Sequence, residues 1–163
     1  MAVLPILRWP DARLSQVCAA VTRFDPALET LARDMFDTMY DAPGRGLAGP
    51  QVGAMQRLFV MDVTWKDADP SPVVMVNPTL LAADEQTCVM AEGCLSIPGL
   101  VAEVARPVAV RMRWQDLTGA AHEADLTGNE ARCAQHELDH LDGKVHFDRI
   151  SAEQRALLEE AYR

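Results

Sequence analysis

The sequence predicts an α+β fold, and three patterns along its 163 residues lead to that prediction. Apolar residues recur at helical spacing over residues 26–40. Strand-like segments follow in the middle of the chain, and the clearest of them alternates apolar with other side chains over residues 108–114. A second helix, with its own start and stop signals, then carries two histidines four residues apart.

Each element has a local signal. Asp25 and Pro26 open the first helical pattern. Residues 117–119, Leu-Thr-Gly, predict a turn into a short strand before the second helix. The final helix is predicted over residues 151–162, with Ser151 as its N-cap and a glutamine three residues later. The main strand candidates are 58–63, 73–76, 86–90, 100–105 and 108–114.

The second helix has signals at both ends. Thr127 and Glu130 fit the capping-box pattern, in which two side chains satisfy exposed N–H groups reciprocally. Gly143 lies where a helix commonly ends in a left-handed residue. The buried stripe between these signals is predicted to consist of Ala131, Ala134, Leu138 and Leu141.

This helix carries a metal-binding pattern. His136 and His140 project from one face because they are separated by about one helical turn. Two imidazoles on one face can chelate a divalent metal, and Glu137 lies close enough to move a proton to or from a metal-bound water. The alternative is a solvent-exposed helix face that carries these residues by chance, which is less frequent.

A catalytic metal site usually has three protein ligands, so a third is expected. Downstream, His146 is too close in sequence to turn back easily, and Glu153, Glu159 and Glu160 belong to the final helix. Cys94 is the better candidate, because a glycine and a later Pro-Gly frame it on irregular backbone within residues 92–99. The alternative for Cys94 is a small buried apolar residue.

A glycine-rich segment over residues 44–53 contains the letters of a dinucleotide-binding motif. That motif needs a strand before it and a helix after it, and here the order is reversed. Pro50 also removes an N–H from the helix that would bind phosphate. The segment instead offers close backbone approach at its glycines and one amide donor, Gln51, suited to a developing oxyanion.

Three of these segments together resemble the peptide deformylase family. Residues 44–51 read GRGLAGPQ, residues 92–96 read EGCLS and residues 135–140 read QHELDH. The family patterns are GxGLAAPQ, EGCLS and QHExDH, so the first differs only at Gly49. The resemblance extends to residues 10–14, 77–78 and 140–149 and therefore spans nearly the whole chain.

The resemblance implies a fold and a metal site. The fold would be a single catalytic domain over residues 1–163, with mixed or antiparallel β-sheets packed around a central helix that carries the HExDH motif. The ligands would be Cys94, His136 and His140, holding one divalent metal ion per chain. Iron(II) is expected, and zinc, nickel or cobalt could replace it.

The resemblance also implies a reaction, the removal of the N-formyl group from formylmethionyl N-termini of newly made proteins, with release of formate. Glu137 would act as general acid and base. Gln51 and the backbone N–H of Leu95 would donate to the oxyanion. The substrate-binding residues would be Gly44, Gly46, Leu47 and Gly93.

Other residues have weaker claims. Glu92 and Asp139 are predicted to orient metal ligands through hydrogen bonds. Arg106 lies where the family often has an arginine, although a surface cation would look the same in sequence. We expect no functional role for His122 and His146.

Three departures from the family concern the substrate pocket. Asn129, Glu130 and Ala134 stand where bulky apolar residues are usual, which predicts a wider or more polar pocket and a relaxed preference for methionine. Two alternatives therefore stay open: a related metallohydrolase for another N-acylated substrate, and an idle homologue that binds metal or a partner. The sequence ends without a basic extension, so docking on the ribosome is not expected.

Composition limits the remaining possibilities. The formal net charge of −9 argues against nucleic-acid binding as the main task. Residues 1–8 do not resemble a signal peptide, and no apolar run approaches membrane-spanning length. The four cysteines are dispersed without a CxxC pair, which suits a reducing, cytoplasmic location. The expected partner is a formylated peptide or nascent chain.

Overall fold

In the computed structural model, residues 2–162 are described, and within them the chain forms three α-helices and seven strands. The helices are α1 (Pro26–Asp41), α2 (Gly128–Leu141) and α3 (Ala152–Tyr162). The strands are β1 (Gly46–Ala48), β2 (Leu58–Met61), β3 (Val73–Ala83), β4 (Thr87–Cys94), β5 (Ile97–Pro107), β6 (Ala109–Gln115) and β7 (Ala121–Thr127). The α+β prediction is confirmed.

The strands form two antiparallel sheets. The larger sheet has the order β1-β2-β3-β6-β7, and the smaller is the hairpin of β4 and β5. Irregular register in the pairing of β3 with β6 follows Asn77, whose φ is 50°. The predicted alternation in β6 is confirmed, since Val110 and Met112 are buried.

Strand β2 lies between two helices, which explains why all four of its residues are apolar and buried. Because successive side chains point to opposite faces, Leu58 and Val60 pack in a cluster with α1. Phe59 and Met61 point the other way, into a cluster that includes residues of α2. The large sheet is therefore covered on both faces at this strand.

Helix α2 is central, as predicted. Ala131, Ala134 and Leu141 pack against the large sheet, while Leu138 is partly buried beside them. On its other side, Arg132 donates to the carbonyl of Val104 in the hairpin. The motif-bearing helix thus lies between the two sheets.

A third, smaller cluster fixes both ends of the described chain. Trp9 makes edge-to-face contacts with Phe147 and with Tyr162 of α3. Ile97 and Val145 belong to the same cluster. The N-terminal segment is thereby held beside the turn that follows Cys94.

Several predicted boundaries were short. Strand β3 continues beyond residue 76 to Ala83. The extension was missed because residues 79–83 are exposed and carry no alternation that sequence could reveal. Strand β4 extends beyond residue 90 to Cys94, so the proposed ligand ends a strand. Strand β1 was not predicted, since it occupies only three residues inside the glycine-rich segment.

The capping-box prediction at Thr127 was wrong in one respect. Thr127 is the N-cap residue of α2, but its side chain makes no capping hydrogen bond. The residue is still paired with Ala109 in the sheet, and Gly128, at φ 57°, makes the transition into the helix. At the start of α3, the Ser151 hydroxyl accepts from the Gln154 N–H at 3.1 Å, as the capping pattern predicts.

Replacing Asn77 by alanine should destabilise the fold by about 2–3 kcal/mol. The Asn77 amide binds both the N–H and the carbonyl of Val21, at 2.8 and 2.9 Å, and donates to Gln115. Alanine would lose these bonds and keep an unfavourable φ of 50°. Urea unfolding measures the change. The exposed neighbour Thr79, replaced by alanine, should shift stability by about 0.5 kcal/mol or less, and an equal effect of both changes would contradict this account.

Candidate active site

The three predicted metal ligands lie together. Cys94 ends β4, where the register with β5 shifts, and His136 and His140 lie one turn apart on α2. The ligand atoms of these three buried residues lie within 4.8 Å of one another, and Cys94 Sγ is 3.4 Å from His140 Nε2. The hairpin and the helix, 46 residues apart in sequence at this contact, each supply part of the site.

The orientation of His136 is set by Glu92. Its Nδ1 lies 2.9 Å from a Glu92 carboxylate oxygen, so Nδ1 carries the proton and Nε2 keeps its lone pair for a metal ion. The prediction that Glu92 would orient a ligand thus has a matching contact. His140 Nδ1 is buried and has no hydrogen-bond partner within residues 2–162.

These residues fit a single divalent metal ion. One thiolate and two imidazoles are borderline-soft donors, a set that iron(II), zinc, nickel or cobalt can accept. Three protein ligands leave a coordination position for water or substrate. A buried carboxylate oxygen of Glu137 has no partner within the described residues, as expected for a group whose partner would be bound there.

Glu137 is enclosed beside the ligands. One carboxylate oxygen lies 3.6 Å from His136 Nε2, and the side chain is almost fully buried. Burial raises the pKa of Glu137 to about 7, and the His136 imidazole opposes that rise. A carboxyl with this pKa can both take and return a proton near neutral pH.

Arg106 is buried and is not a surface cation. Its guanidinium binds Glu92 on β4 and Asp139 on α2, with distances of 2.9 Å from Nη2 and from Nη1 respectively. Arg132 adds a second guanidinium to Glu92, and Arg149 adds one to Asp139. Within residues 2–162 the Asp139 carboxylate therefore accepts from arginines and forms no hydrogen bond with a proposed ligand.

The pKa values of the two carboxyls follow from these contacts. Burial alone would raise the pKa of Glu92, but hydrogen bonds from His136 and Arg106 outweigh it and hold that pKa well below its usual range. Burial likewise opposes ionisation of Asp139, while the hydrogen bond from Arg149 and the charge of Arg106 lower its pKa. Both groups are therefore ionised at neutral pH.

Gln51 lies beside the Cys94 sulfur. Its side-chain oxygen accepts from the Ala48 N–H at 2.9 Å, and its amide nitrogen donates to Ser96 Oγ at 3.0 Å. The same nitrogen is 3.7 Å from Cys94 Sγ, a longer and weaker contact. Ser96, which the sequence did not single out beyond its motif, therefore fixes the orientation of Gln51.

A cavity of about 910 Å³ opens onto the site. Gly44, Gly46 and Gly93, which were predicted to bind substrate, line it, and so does Leu95, the predicted oxyanion donor. Leu47 is fully buried in the cluster around α1 and is not among the residues that line the cavity, unlike the three glycines predicted with it.

Gly46 is required by close packing. A Cβ at this position would lie 2.8 Å from Cys133 Sγ and 3.0 Å from the Glu137 side chain. Because both neighbours belong to α2, a larger residue would displace the carboxylate. The glycine-rich segment thus brings its backbone against the helix that carries the site.

Of the three residues that differ from the family and were predicted to shape the pocket, one lines the cavity and two do not. Asn129 lines the cavity, but Glu130 does not, and Ala134 belongs to the core beneath α2. Arg132 and Cys133 line the cavity and were missed. Their spacing of four residues before His136 and Glu137 placed them on the same helix face and could have revealed them.

The two remaining histidines differ in environment. His146 is buried, and neither ring nitrogen has a partner within residues 2–162. Its ring centroid is 6.1 Å from that of His136, and burial lowers its pKa to about 4. His146 is nevertheless outside the group of three ligands. His122 is exposed, stacks on Trp114 and pairs with Asp116.

An antiparallel α+β fold groups Cys94, His136 and His140 at ligand distance, next to Glu137 at the wall of a cavity, and one oxygen of that carboxylate has no partner within residues 2–162. This arrangement defines the class as a metal-dependent hydrolase. Comparison with known proteins identifies the family. The family model described as polypeptide deformylase matches residues 3–156.

Relatives and solved structures agree with that match. A peptide deformylase of Novosphingobium aromaticivorans is 45% identical, over 93% of this chain and 90% of its own. The crystal structure of a Legionella pneumophila peptide deformylase has a TM-score of 0.92 and 40% identity, covering 99% of this chain and 94% of that one. The Thermotoga maritima structure has a TM-score of 0.88 and 40% identity, covering 93% and 99%. The chain belongs to the peptide deformylase family.

None of the helices within residues 2–162 combines the length and the apolar character that a membrane crossing would require.

Replacing Arg106 by methionine should destabilise the protein by about 3 kcal/mol or more, because Glu92 and Asp139 would stay buried without their shared counter-ion. Metal affinity should fall about 10- to 100-fold, since Glu92 orients His136. Urea unfolding and metal titration measure the two effects.

Arg149→Met is the matched control, because this arginine also binds Asp139 but its side chain is 42% exposed. This variant should cost about 1 kcal/mol or less.

The carboxyls of Glu92 and Asp139 both have lowered folded-state pKa values, so their stabilisation is present above the ordinary carboxyl range and is lost as pH falls below it. The difference between wild type and Arg106→Met should therefore shrink in acid. A difference that grows in acid would contradict the assignment.

Proposed function

We propose that this chain removes the formyl group from formylmethionyl N-termini and releases formate, with Cys94, His136 and His140 as metal ligands. The observation that carries the proposal is the Glu137 carboxylate, one oxygen of which has no partner within residues 2–162, buried beside these ligands at a cavity large enough for a peptide end. Membership of the deformylase family supports the same reaction.

The chain's own groups supply the proton transfers. A divalent ion held by the three ligands would act as a Lewis acid and lower the pKa of water. Glu137 would take the proton of the attacking water and deliver it to the leaving amine, for which its raised pKa, about 7, is suited. We propose iron(II) as the native ion; one cysteine and two histidines can bind it, and they can also bind zinc, nickel or cobalt.

Two donors would stabilise the developing oxyanion. The Gln51 amide nitrogen is held by Ser96, and its longer contact to Cys94 Sγ is the one that a substrate oxygen could replace. The N–H of Leu95, in the turn directly after Cys94, is the second proposed donor. Donors fixed in this way need little reorganisation when charge develops.

The backbone of the glycine-rich segment would hold the peptide. Gly44, Gly46 and Gly93 line the cavity, while the fully buried Leu47 would support this segment from the core. The partner would be a formylated nascent chain, met in the cytoplasm by a single domain over residues 1–163.

A second candidate is hydrolysis of another N-acylated substrate. The observation in its favour is the polar side chain of Asn129 at the cavity, in place of an apolar one. Formyl-Met, formyl-Leu, formyl-Gln and acetyl-Met peptides would separate the two. A higher kcat/KM for the acetylated peptide would replace the proposed reaction with this one.

Glu137→Gln should abolish formate release from formyl-Met peptides while metal stays bound, because Glu137 moves protons and contributes no metal bond. Wild type and variant would be loaded with iron(II) without oxygen and compared by formate release and metal analysis. Stoichiometric loss of metal in the variant would mean that Glu137 is a ligand. Absence of formate release by the wild type would reject the proposed reaction.

Activity of the iron-loaded protein should decay in air much faster than that of the nickel- or zinc-loaded protein. A thiolate on iron(II) with an open coordination position is exposed to oxygen chemistry, and Cys94 is the only thiol in the ligand group formed by the described residues. Mass spectrometry of Cys94 alongside activity measures the decay. Equal lifetimes for all three metals would argue against iron-linked oxidation.

A further inference from the structure

Three arginines line the active-site cavity of a chain whose formal net charge is −9. They are Arg8, Arg45 and Arg132. In an acidic protein, a group of cations at the substrate cavity is not what composition alone predicts. What these arginines can bind depends on which of them still has free N–H donors.

Arg132 is already committed. Its guanidinium donates to Glu92, to the Val104 carbonyl and to the Cys88 carbonyl, and the side chain is only 12% exposed. These contacts tie α2 to the hairpin. Arg132 therefore makes the cavity wall polar but has a structural task, and we assign it no substrate.

Arg8 is uncommitted and firmly placed. The residues on either side are pinned by backbone hydrogen bonds, from Leu7 N–H to Gln51 at 2.7 Å and from Trp9 N–H to Ser96 at 2.9 Å. These bonds fix Arg8 beside the proposed oxyanion donors. Arg8 is exposed, and its guanidinium has no hydrogen bond or ion pair within residues 2–162.

Arg45 is held by its backbone while its side chain is exchangeable. Its carbonyl accepts from the Asp62 N–H at 2.8 Å, which fixes it between Gly44 and Gly46 on the cavity wall. Its guanidinium pairs with Asp67 at 3.1 Å, but that side chain is 78% exposed. An exposed pair of this kind contributes little, so a substrate carboxylate can compete for Arg45.

Two of the three acidic residues that line the cavity are occupied elsewhere. Glu92 is paired with Arg106 and Arg132 and accepts from His136. Glu137 is almost fully buried and lies beside His136, 3.6 Å from its Nε2. Asp41 is the remaining acidic residue among those that line the cavity.

We infer that Arg8 and Arg45 select formylated peptides with an acidic residue shortly after the formylated one. The inference rests on the proposed function and adds a substrate class to it. A guanidinium binds a carboxylate by paired N–H donors, which a neutral amide of the same shape cannot match. A bound metal would not account for the preference for an acidic residue or for its place in the peptide, since both arginines lie on the cavity wall and outside the ligand group.

The test compares matched peptides. Formyl-Met-Glu-Ala-Ala and formyl-Met-Ala-Glu-Ala, both with amidated C-termini, would be measured against counterparts with Gln or Lys in place of Glu. We expect kcat/KM to be about three- to ten-fold higher for Glu than for Gln in at least one series, and lowest for Lys. The preference should weaken as salt rises, because both arginines face solvent.

The variants Arg8→Gln, Arg45→Gln and the double variant assign the effect. Each single change should reduce the Glu-to-Gln ratio, and the double change should bring it close to one. Arg23→Gln is the matched control, since Arg23 is exposed and does not line the cavity. Equal rates for Glu and Gln peptides, a preference for Lys, or a Glu preference that survives the double change would each overturn the inference.

A binding measurement separates this inference from the proposed reaction. Dissociation constants of the Glu and Gln peptides would be determined on metal-loaded Glu137→Gln protein, with and without the two arginine changes. If no peptide releases formate from wild type but the arginine-dependent binding difference is present, the reaction is wrong and the selectivity stands. If formate is released and no binding difference is found, the selectivity is wrong and the reaction stands.

Discussion

The contact of Arg106 with Glu92 and Asp139 is the constraint on which the site depends. It joins the hairpin of β4 and β5, which carries the thiolate, to the helix α2, which carries the imidazoles. Glu92 also accepts from His136 Nδ1. The contact that joins the two elements therefore also sets which nitrogen of His136 faces the metal position, and the alignment of the ligands follows from the packing of the fold.

This arrangement couples stability to chemistry. Ion pairs as buried as those of Arg106 are costly to desolvate, and they are stable only when every charge keeps its partner. Here each carboxylate accepts from two arginines, and the carboxylates remain ionised because those hydrogen bonds outweigh burial. Burial also raises the pKa of Glu137, but within residues 2–162 no arginine hydrogen bond opposes it there, and the pKa rises to about 7. Two glutamates of one site thus differ in pKa because one is bound by arginines and the other faces the cavity.

The wall opposite α2 is made by backbone. Gly46 lets β1 approach Cys133 and Glu137 more closely than any residue with a Cβ could. Specificity then depends on the side chains that line the cavity. Asn129 and Arg132 make its helix side polar, while Arg8 and Arg45 add cations at the N-terminal segment and the glycine-rich segment. The chemistry and the choice of substrate are in this way carried by different residues.

The sequence by itself determined the parts of this protein that depend on local spacing. Histidines four residues apart define a helix face, and the apolar residues of β2 and the alternation of β6 define buried strands, because these periods follow from backbone geometry alone. The motif around Cys94 identified the third ligand candidate through family resemblance. Only the tertiary structure decided that Arg106 is buried, that Ser96 orients Gln51, that Leu47 belongs to the core and that Ala134 lies beneath α2. Those facts depend on partners distant in the chain, and the exposure and pairing of a polar side chain are set by that packing, which no local pattern encodes.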